Sequence, residues 1–428
     1  MGYVINLGIL FILVFYAVRL LSSKPSYIHF ENEEILLNGP EKFLLFTIVT
    51  GMFMCGPFSA IRLLIWELLV IFSLYLYGKI IKPNVIIFAY LVFLLWLILE
   101  FVRTPSYFYG LRVFVKYLYP FVIMLFAATF IRNEKFIYIA MKYLVYTGLM
   151  FSILMGGVFT NIIYLWVFYS FSVFWPMSTL GDFIAIVSAA SFLLWWKTRE
   201  KKYLFFILWF LLSEILQSVR TSLLAITIVL IIGSFLKYKL KSLPYIIGSI
   251  FFIIGVILYV PYVKNKMFFN PQNIYTIEDI IKAQESGQIN TSMREYMWND
   301  LMHRFYENNE LFGKGLGTVQ HFMYTNFVYG GLHVPHSDYV QMLCDTGLIG
   351  LILYLLLPFL LIFYLRKYLF KPPIKGIILS AQMSFLSFIA VLISMGFDNV
   401  VNYNVAAHSY PFIFLGIHMA YRTRRIYD

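Results

Sequence analysis

Charge is scarce in this chain. Asp, Glu, Lys and Arg make up 13% of its 428 residues, where a soluble domain carries about 25%. With 61% hydrophobic residues and a mean hydropathy of +0.79, that shortage excludes a soluble globular class and leaves a polytopic membrane protein. Cysteine is nearly absent too. Cys55 and Cys344 both lie inside apolar runs, which argues against a disulfide framework. No internal period of about 20–50 residues is visible, so a repeat architecture is not expected. The first apolar run, Tyr3 to Leu21, lacks a charged leader and a small-residue cleavage site, and reads as a first span rather than a removable signal.

What is present is a series of apolar runs. A span needs roughly 20 mostly apolar residues, and the chain offers candidates at 3–21, 43–58, 61–78, 84–102, 113–131, 136–155, 158–175, 180–196, 203–217, 221–236, 243–261, 343–365, 376–395 and 404–421. The expected fold class is an all-α polytopic membrane protein with about 14 transmembrane helices (12–14) and a large, partly helical periplasmic loop before the last three spans. Three units follow: residues 1–261 as an N-terminal transmembrane helix bundle, 262–342 as a periplasmic loop domain, and 343–428 as C-terminal transmembrane helices.

Orientation comes from loop charge, because cytoplasmic loops concentrate Lys and Arg. Lys197 to Lys202 carries four basic residues; Lys237, Lys239 and Lys241 form a second cluster, Arg366, Lys367, Lys371 and Lys375 a third, and Arg422, Arg424 and Arg425 a fourth. The span list puts all four on one face, which reads as the cytoplasm, with both termini there. The late insertion falls on the opposite, outer face. The first loop, with Glu31, Glu33, Glu34 and Glu41, is expected beside the insertion. The net charge of +12 reflects this bias and contact with anionic lipid heads, and implies no nucleic acid.

About 75 polar residues, from roughly Tyr262 to His336, form the insertion. A loop far beyond about 12–15 residues is usually functional or disordered, and the tryptophan, aromatics and cap signals here favour structure. Ser292-Met293-Arg294-Glu295 has capping-box spacing, so a helix over roughly 293–307 is expected, with Arg294 and Trp298 on one face at i and i+4. Leu311-Phe312-Gly313-Lys314-Gly315-Leu316-Gly317 then suggests a tight turn. Asp338 and Gln341 have cap spacing after His336, and Gly347 and Gly350 mark where the next helix bends or packs closely. Upstream, Arg220 in Ser218-Val219-Arg220 sits at the outer end of a span, where burying it at mid-membrane would cost about 2.5–3.5 kcal/mol.

From spacing alone each candidate has a plainer reading. His336 can be a solvated histidine, Arg220 a snorkelling anchor, Arg294 a surface residue paired with Glu295 or Asp300, and Asp338 a helix cap rather than a general base. His303, His321, His333, His408 and His418 show no metal-ligand spacing. Glu31-Asn32-Glu33-Glu34 is read either as a divalent-ion loop or as an ordinary acidic loop.

Taken together these segments resemble the superfamily of O-antigen ligases and Wzy-type O-antigen polymerases. The resemblance rests on Ser218-Val219-Arg220, on Arg294 and Trp298 followed by Leu311-Phe312-Gly313-Lys314-Gly315, and on His336 running through Asp345-Thr346-Gly347-Leu348-Ile349-Gly350, over about 215–350. Ser337 stands where the family pattern has Asn, and Asp345 where it has Glu. The resemblance implies a membrane glycosyltransferase that polymerises undecaprenyl-diphosphate-linked oligosaccharide units into O-antigen or a related surface polysaccharide. Arg220 and Arg294 would hold and stabilise the leaving diphosphate, and His336 would take the acceptor proton. Trp298 and Asp338 join Arg220 and Arg294 as substrate-binding candidates. Chemistry carried by two arginines calls for no cofactor and no metal, and opposite-face attack inverts the anomeric centre. Partners are a lipid-linked donor and acceptor, the bilayer, and a chain-length regulator protein. Alternatives are a ligase delivering the finished glycan to lipid A-core, and a flippase or transporter of the same lipid-linked sugars.

Overall fold

A computed structural model of the chain describes residues 2–31, 33–78, 83–156, 172–217, 219–290, 293–326, 328–329 and 332–424. Helix α1 (Gly2–Leu21) leads into a hairpin of β1 (Ser26–Phe30) and β2 (Glu33–Leu37), paired antiparallel with Ile28 opposite Ile35. Helices α2 (Gly39–Thr50), α3 (Ser59–Tyr77), α4 (Val85–Val102), α5 (Tyr107–Phe130) and α6 (Phe136–Gly156) follow. After them come α7 (Met177–Thr198), α8 (Lys201–Gln217), α9 (Arg220–Tyr238) and α10 (Leu243–Tyr259). The insertion holds α11 (Pro261–Met267), α12 (Ile277–Glu285), α13 (Arg294–Leu301) and α14 (Thr318–Asn326), and α15 (Asp338–Leu369), α16 (Gly376–Met395) and α17 (Tyr410–Arg424) complete the chain. The protein is thus a helical, multi-pass membrane protein, with one small β-hairpin that the apolar-run reading did not anticipate.

Nine helices among the described residues are long and apolar enough to cross a membrane. Of the other expected spans, 43–58, 203–217, 243–261 and 404–421 appear as the shorter α2, α8, α10 and α17, and 158–175 lies almost wholly outside the described residues. Helix α2 ends early because residues 52–55 leave the helix to bond segment 172–175, with Met54 N–H donating to Val173 at 2.7 Å and Trp175 N–H to Met52 at 3.1 Å. Of these nine, α7 is the most deeply buried, and it packs against α6, α8, α9 and α16. Its Gly181, Ala185, Ser188, Ala189, Ala190 and Ser191 keep the backbone accessible to neighbours, as small residues do between membrane helices.

The two ends of the bundle differ in charge. At one end Lys197 Nζ donates to the Ile374 carbonyl at 3.0 Å and lies over the Tyr138 ring, while Tyr421 bonds the Asn133 carbonyl at 2.9 Å. The expectation that the acidic first loop sits with the insertion is corrected. Glu33 pairs with Lys135 and Glu31 with Lys142, and Glu41 accepts from the backbone N–H of Arg132 and Asn133 at 2.7 and 2.8 Å. The hairpin therefore lies at the basic end, its carboxylates neutralised by lysines. The expectation that both termini share a face is corrected with it. Asn6, near the start of α1, lies against Gly56, whose N–H bonds Ser172 at the insertion end, whereas α17 finishes at the basic end. The flanks of 158–175 are both at the insertion end, through Phe151, Phe53 and Phe174. Helix α1 therefore runs from the insertion end to the basic end, inverted relative to the span count. Inversion also brings Arg19 and Lys24 to the basic end.

Candidate active site

Helix α15 breaks at Gly347, which adopts φ 67°, ψ −172°. The carbonyls of Cys344 and Asp345 accept from the N–H groups of Lys314 and Gly315 at 2.9 and 3.0 Å, and Leu348 and Ile349 donate to Glu310 and Leu311 at 2.7 and 3.2 Å. The Leu-Phe-Gly-Lys-Gly loop thus replaces intrahelical bonds that the kink gives up. The crossing is backbone on backbone: a Cβ at Gly313 would sit 2.7 Å from Gly347 N, and one at Gly347 would collide with the Leu311 carbonyl. Only glycine fits both places. Asp345 accepts from Gly317 N–H at 3.1 Å and Val319 N–H at 2.9 Å, capping α14. Ser337 caps α15 by accepting from Val340 N–H at 3.3 Å. Both departures from the family pattern are therefore held in structural roles, and the α15 cap is Ser337 rather than Asp338.

The expected helix over 293–307 is observed as α13 continued by a π-helical turn, Met302–Tyr306. Ser292 of the expected capping box lies outside the described residues. The helix is instead entered through Met293 in the left-handed region (φ 62°), without a side-chain cap. On this helix Arg294 Nη1 donates to the Phe397 carbonyl at 2.7 Å, and Trp298 Nε1 donates to the Pro335 carbonyl at 2.6 Å.

That second bond fixes the turn carrying His336, which also holds a left-handed backbone (φ 51°). Non-glycine residues in this region store strain and cluster at functional sites. His336 Nδ1 lies 3.3 Å from Asp398 Oδ1, with side chains 20% and 5% exposed. When Nδ1–H donates to the carboxylate, the Nε2 lone pair is left as acceptor, the tautomer a general base requires. Asp398 also accepts from Asn399 N–H at 2.8 Å and from the Tyr403 hydroxyl at 3.5 Å. Arg294 and His336 therefore converge on consecutive residues, Phe397 and Asp398, in the turn after α16.

Arg220, at the first position of α9, donates to the Asn290 carbonyl at 3.0 Å, on the segment leading into Arg294. The two guanidinium groups lie within electrostatic reach of each other, and Lys266 joins them. The Lys266 ammonium is held below its ordinary range, first by desolvation and then by Arg220 and Arg294. Ser218 of the Ser-x-Arg pattern lies outside the described residues. Asp338 is placed differently from the others: buried, it accepts from Val401 N–H at 3.0 Å. It positions the segment after Asp398 instead of presenting a carboxylate to substrate. Among the described residues, no three His, Cys, Asp or Glu side chains gather as a metal-ligand set.

Asp398, Lys266 and Tyr403 escaped the sequence reading. The available signal for Asp398 was an acidic residue in the short gap between the spans 376–395 and 404–421, on the insertion side of the first.

Fold and site together define a multi-pass membrane protein that gathers guanidinium groups, an ammonium and a carboxylate-held imidazole at the end of the bundle that carries its late insertion. Residues 205–355 match a family model described as O-Antigen ligase. That segment, which carries Arg220, Arg294, Trp298 and His336, is similar to the O-antigen ligase and Wzy superfamily, a similarity that points to a glycosyltransferase-like enzyme of that kind. No curated protein matches the chain.

Proposed function

We propose that the protein is an inverting glycosyltransferase that joins undecaprenyl-diphosphate-linked oligosaccharide units into a surface polysaccharide. The observation that carries this reading is the meeting of Arg294 and His336 on Phe397 and Asp398. His336 Nε2 takes the proton of an acceptor hydroxyl, and that oxygen forms the new bond to the anomeric carbon. The bond from that carbon to the diphosphate oxygen breaks on the opposite face, and the released charge is shared by Arg220 and Arg294. Arginine suits this task because its fork donates in pairs and remains charged. Two fixed guanidinium groups supply the charge stabilisation that a divalent ion would otherwise give.

The basic end is assigned to the cytoplasm by its Lys and Arg. The insertion domain, 262–342, and the reaction then belong to the periplasmic side, with the N-terminus there and the C-terminus inside. A second reading, transfer of the finished glycan to lipid A-core, is favoured by the description of the matching family model. Purified protein supplied with lipid-linked repeat alone discriminates the two. A ladder of lengthening lipid-linked products supports polymerisation. Product formed only when lipid A-core is added supports ligation, and no transfer with either acceptor overturns both.

A further inference from the structure

A second cationic feature lies away from Arg220 and Arg294. Between α3 and α5 at the insertion end is a cavity of about 560 Å³, lined on its outer side by Ile61, Leu64, Phe108 and Leu111. These four are exposed on helices long and apolar enough to cross a membrane. Its inner wall carries Arg112 and Lys116, about 8 and 14 Å along α5 from Tyr107 at 1.5 Å per residue. Cations at such depth are costly and ordinarily serve a pathway or a site.

The polar groups of the cavity do not satisfy one another. Lys116 donates to Asn402 Oδ1, which also accepts from Gln320 at 3.1 Å. Arg112 lies over the Tyr324 ring at 5.2 Å. Neither cation forms an ion pair among the described residues. Arg112 Nε, Trp175 Nε1 and Asn402 Nδ2 are buried donors without a hydrogen-bond partner there, as is the acceptor Asn404 Oδ1. Orphaned buried polar atoms are rare and call for a partner. Here the surplus is of donors and positive charge, so the missing partner is anionic and rich in oxygen.

The cavity also abuts the proposed base. Tyr403 and Val334 line it. The Tyr403 hydroxyl reaches Asp398, which holds His336, and Val334 is two residues before His336. We propose that this cleft holds the phosphate-bearing head of the lipid-anchored acceptor. Arg112, Lys116, Trp175 and Asn402 bind its phosphate oxygens, and its hydrocarbon chain lies along Ile61, Leu64, Phe108 and Leu111. The acceptor role rests on the glycosyl-transfer reading; the binding of a lipid phosphate does not.

Titration of the purified full chain in detergent with farnesyl diphosphate tests this. Wild type is expected to show two classes of site. Arg112→Gln weakens one at least tenfold, and so does Leu111→Trp, which fills the cleft from the exposed side without disturbing the bundle. The double variant Arg220→Gln, Arg294→Gln weakens the other class. Inorganic diphosphate is expected to bind the cleft at least tenfold more weakly than the farnesyl compound. Equal binding of both would make it a soluble-anion site and overturn the proposal. A single class in wild type, removed by the double variant, also overturns it while leaving the active-site reading intact. Two classes that persist in the double variant, with one lost in Leu111→Trp, uphold the cleft and overturn the diphosphate role of Arg220 and Arg294.

Discussion

The indole Nε1 of Trp298 donates to the carbonyl of Pro335 at 2.6 Å, tying the helix that carries Arg294 to the turn that carries His336. The turn is a left-handed one, φ 51° at His336, so its geometry depends on what holds it. Trp298→Phe keeps the ring volume and removes the donor. A net hydrogen bond is worth about 0.5–1.5 kcal/mol, so turnover is expected to fall about three- to tenfold. The melting temperature should move by only a few degrees. An unchanged turnover number would remove this bond from the account.

Asp398 is a positioning residue for His336. Asp398→Asn keeps the size and hydrogen-bonding reach but removes the charge that favours an Nδ1–H donor. Turnover is expected to fall about 10²-fold, within the range general-base catalysis supplies, with KM for the lipid-linked donor nearly constant. Asp398→Glu should recover part of the loss. A change in KM alone would assign Asp398 to binding.

Where Gly347 crosses the Leu311–Phe312 backbone, any Cβ collides and φ 67° is strained. Gly347→Ala should destabilise by at least the about 1–3 kcal/mol of a strained backbone position, read as a melting temperature lowered by several degrees or as loss of folded protein. Gly248, within α10 and with nothing near its Cβ position, is the control. Gly248→Ala should be neutral or slightly stabilising.

The insertion has its own pH dependence. The Asp300 carboxyl is held below the usual carboxylate range, chiefly by Arg304 Nε at 2.8 Å and also by the Tyr329 hydroxyl. A folded-state pKa below the unfolded one means the pair stabilises fully above about pH 4 and progressively less as pH falls through the folded value. Amide exchange around α13 should accelerate on acidification below about pH 4 in wild type. The acceleration should be smaller in Asp300→Asn, and an equal acid response in both would exclude this carboxylate as its source.

Local rules carried much of this architecture. The helix expected over 293–307 appears over 294–306, and the glycines of Gly313-Lys314-Gly315 and Gly347 occupy positions that exclude a side chain. Arg294, Trp298 and His336 stood out only through the family pattern they resemble; from spacing alone each had a plainer reading. Asp398 did not stand out, because its partner lies 62 residues away and an acid just beyond a helix end is ordinary. The side of the hairpin was illegible for another reason. Loop charge fixes orientation only where lysine and arginine prevail, and Glu31 and Glu33 carry their counter-charges on α6 and just before it, at Lys142 and Lys135. Direction then had to be counted back from the late basic clusters, and an error of one span in that count inverts everything upstream.

The most direct measurement is the rate of glycan transfer from a polyprenyl-diphosphate donor by purified protein in proteoliposomes, for wild type with and without EDTA and for His336→Ala. Wild-type turnover is expected to be unchanged by chelation, with an inverted anomeric configuration in the product and a rate lowered about 10²–10⁴-fold in His336→Ala. Wild-type turnover in His336→Ala would contradict this.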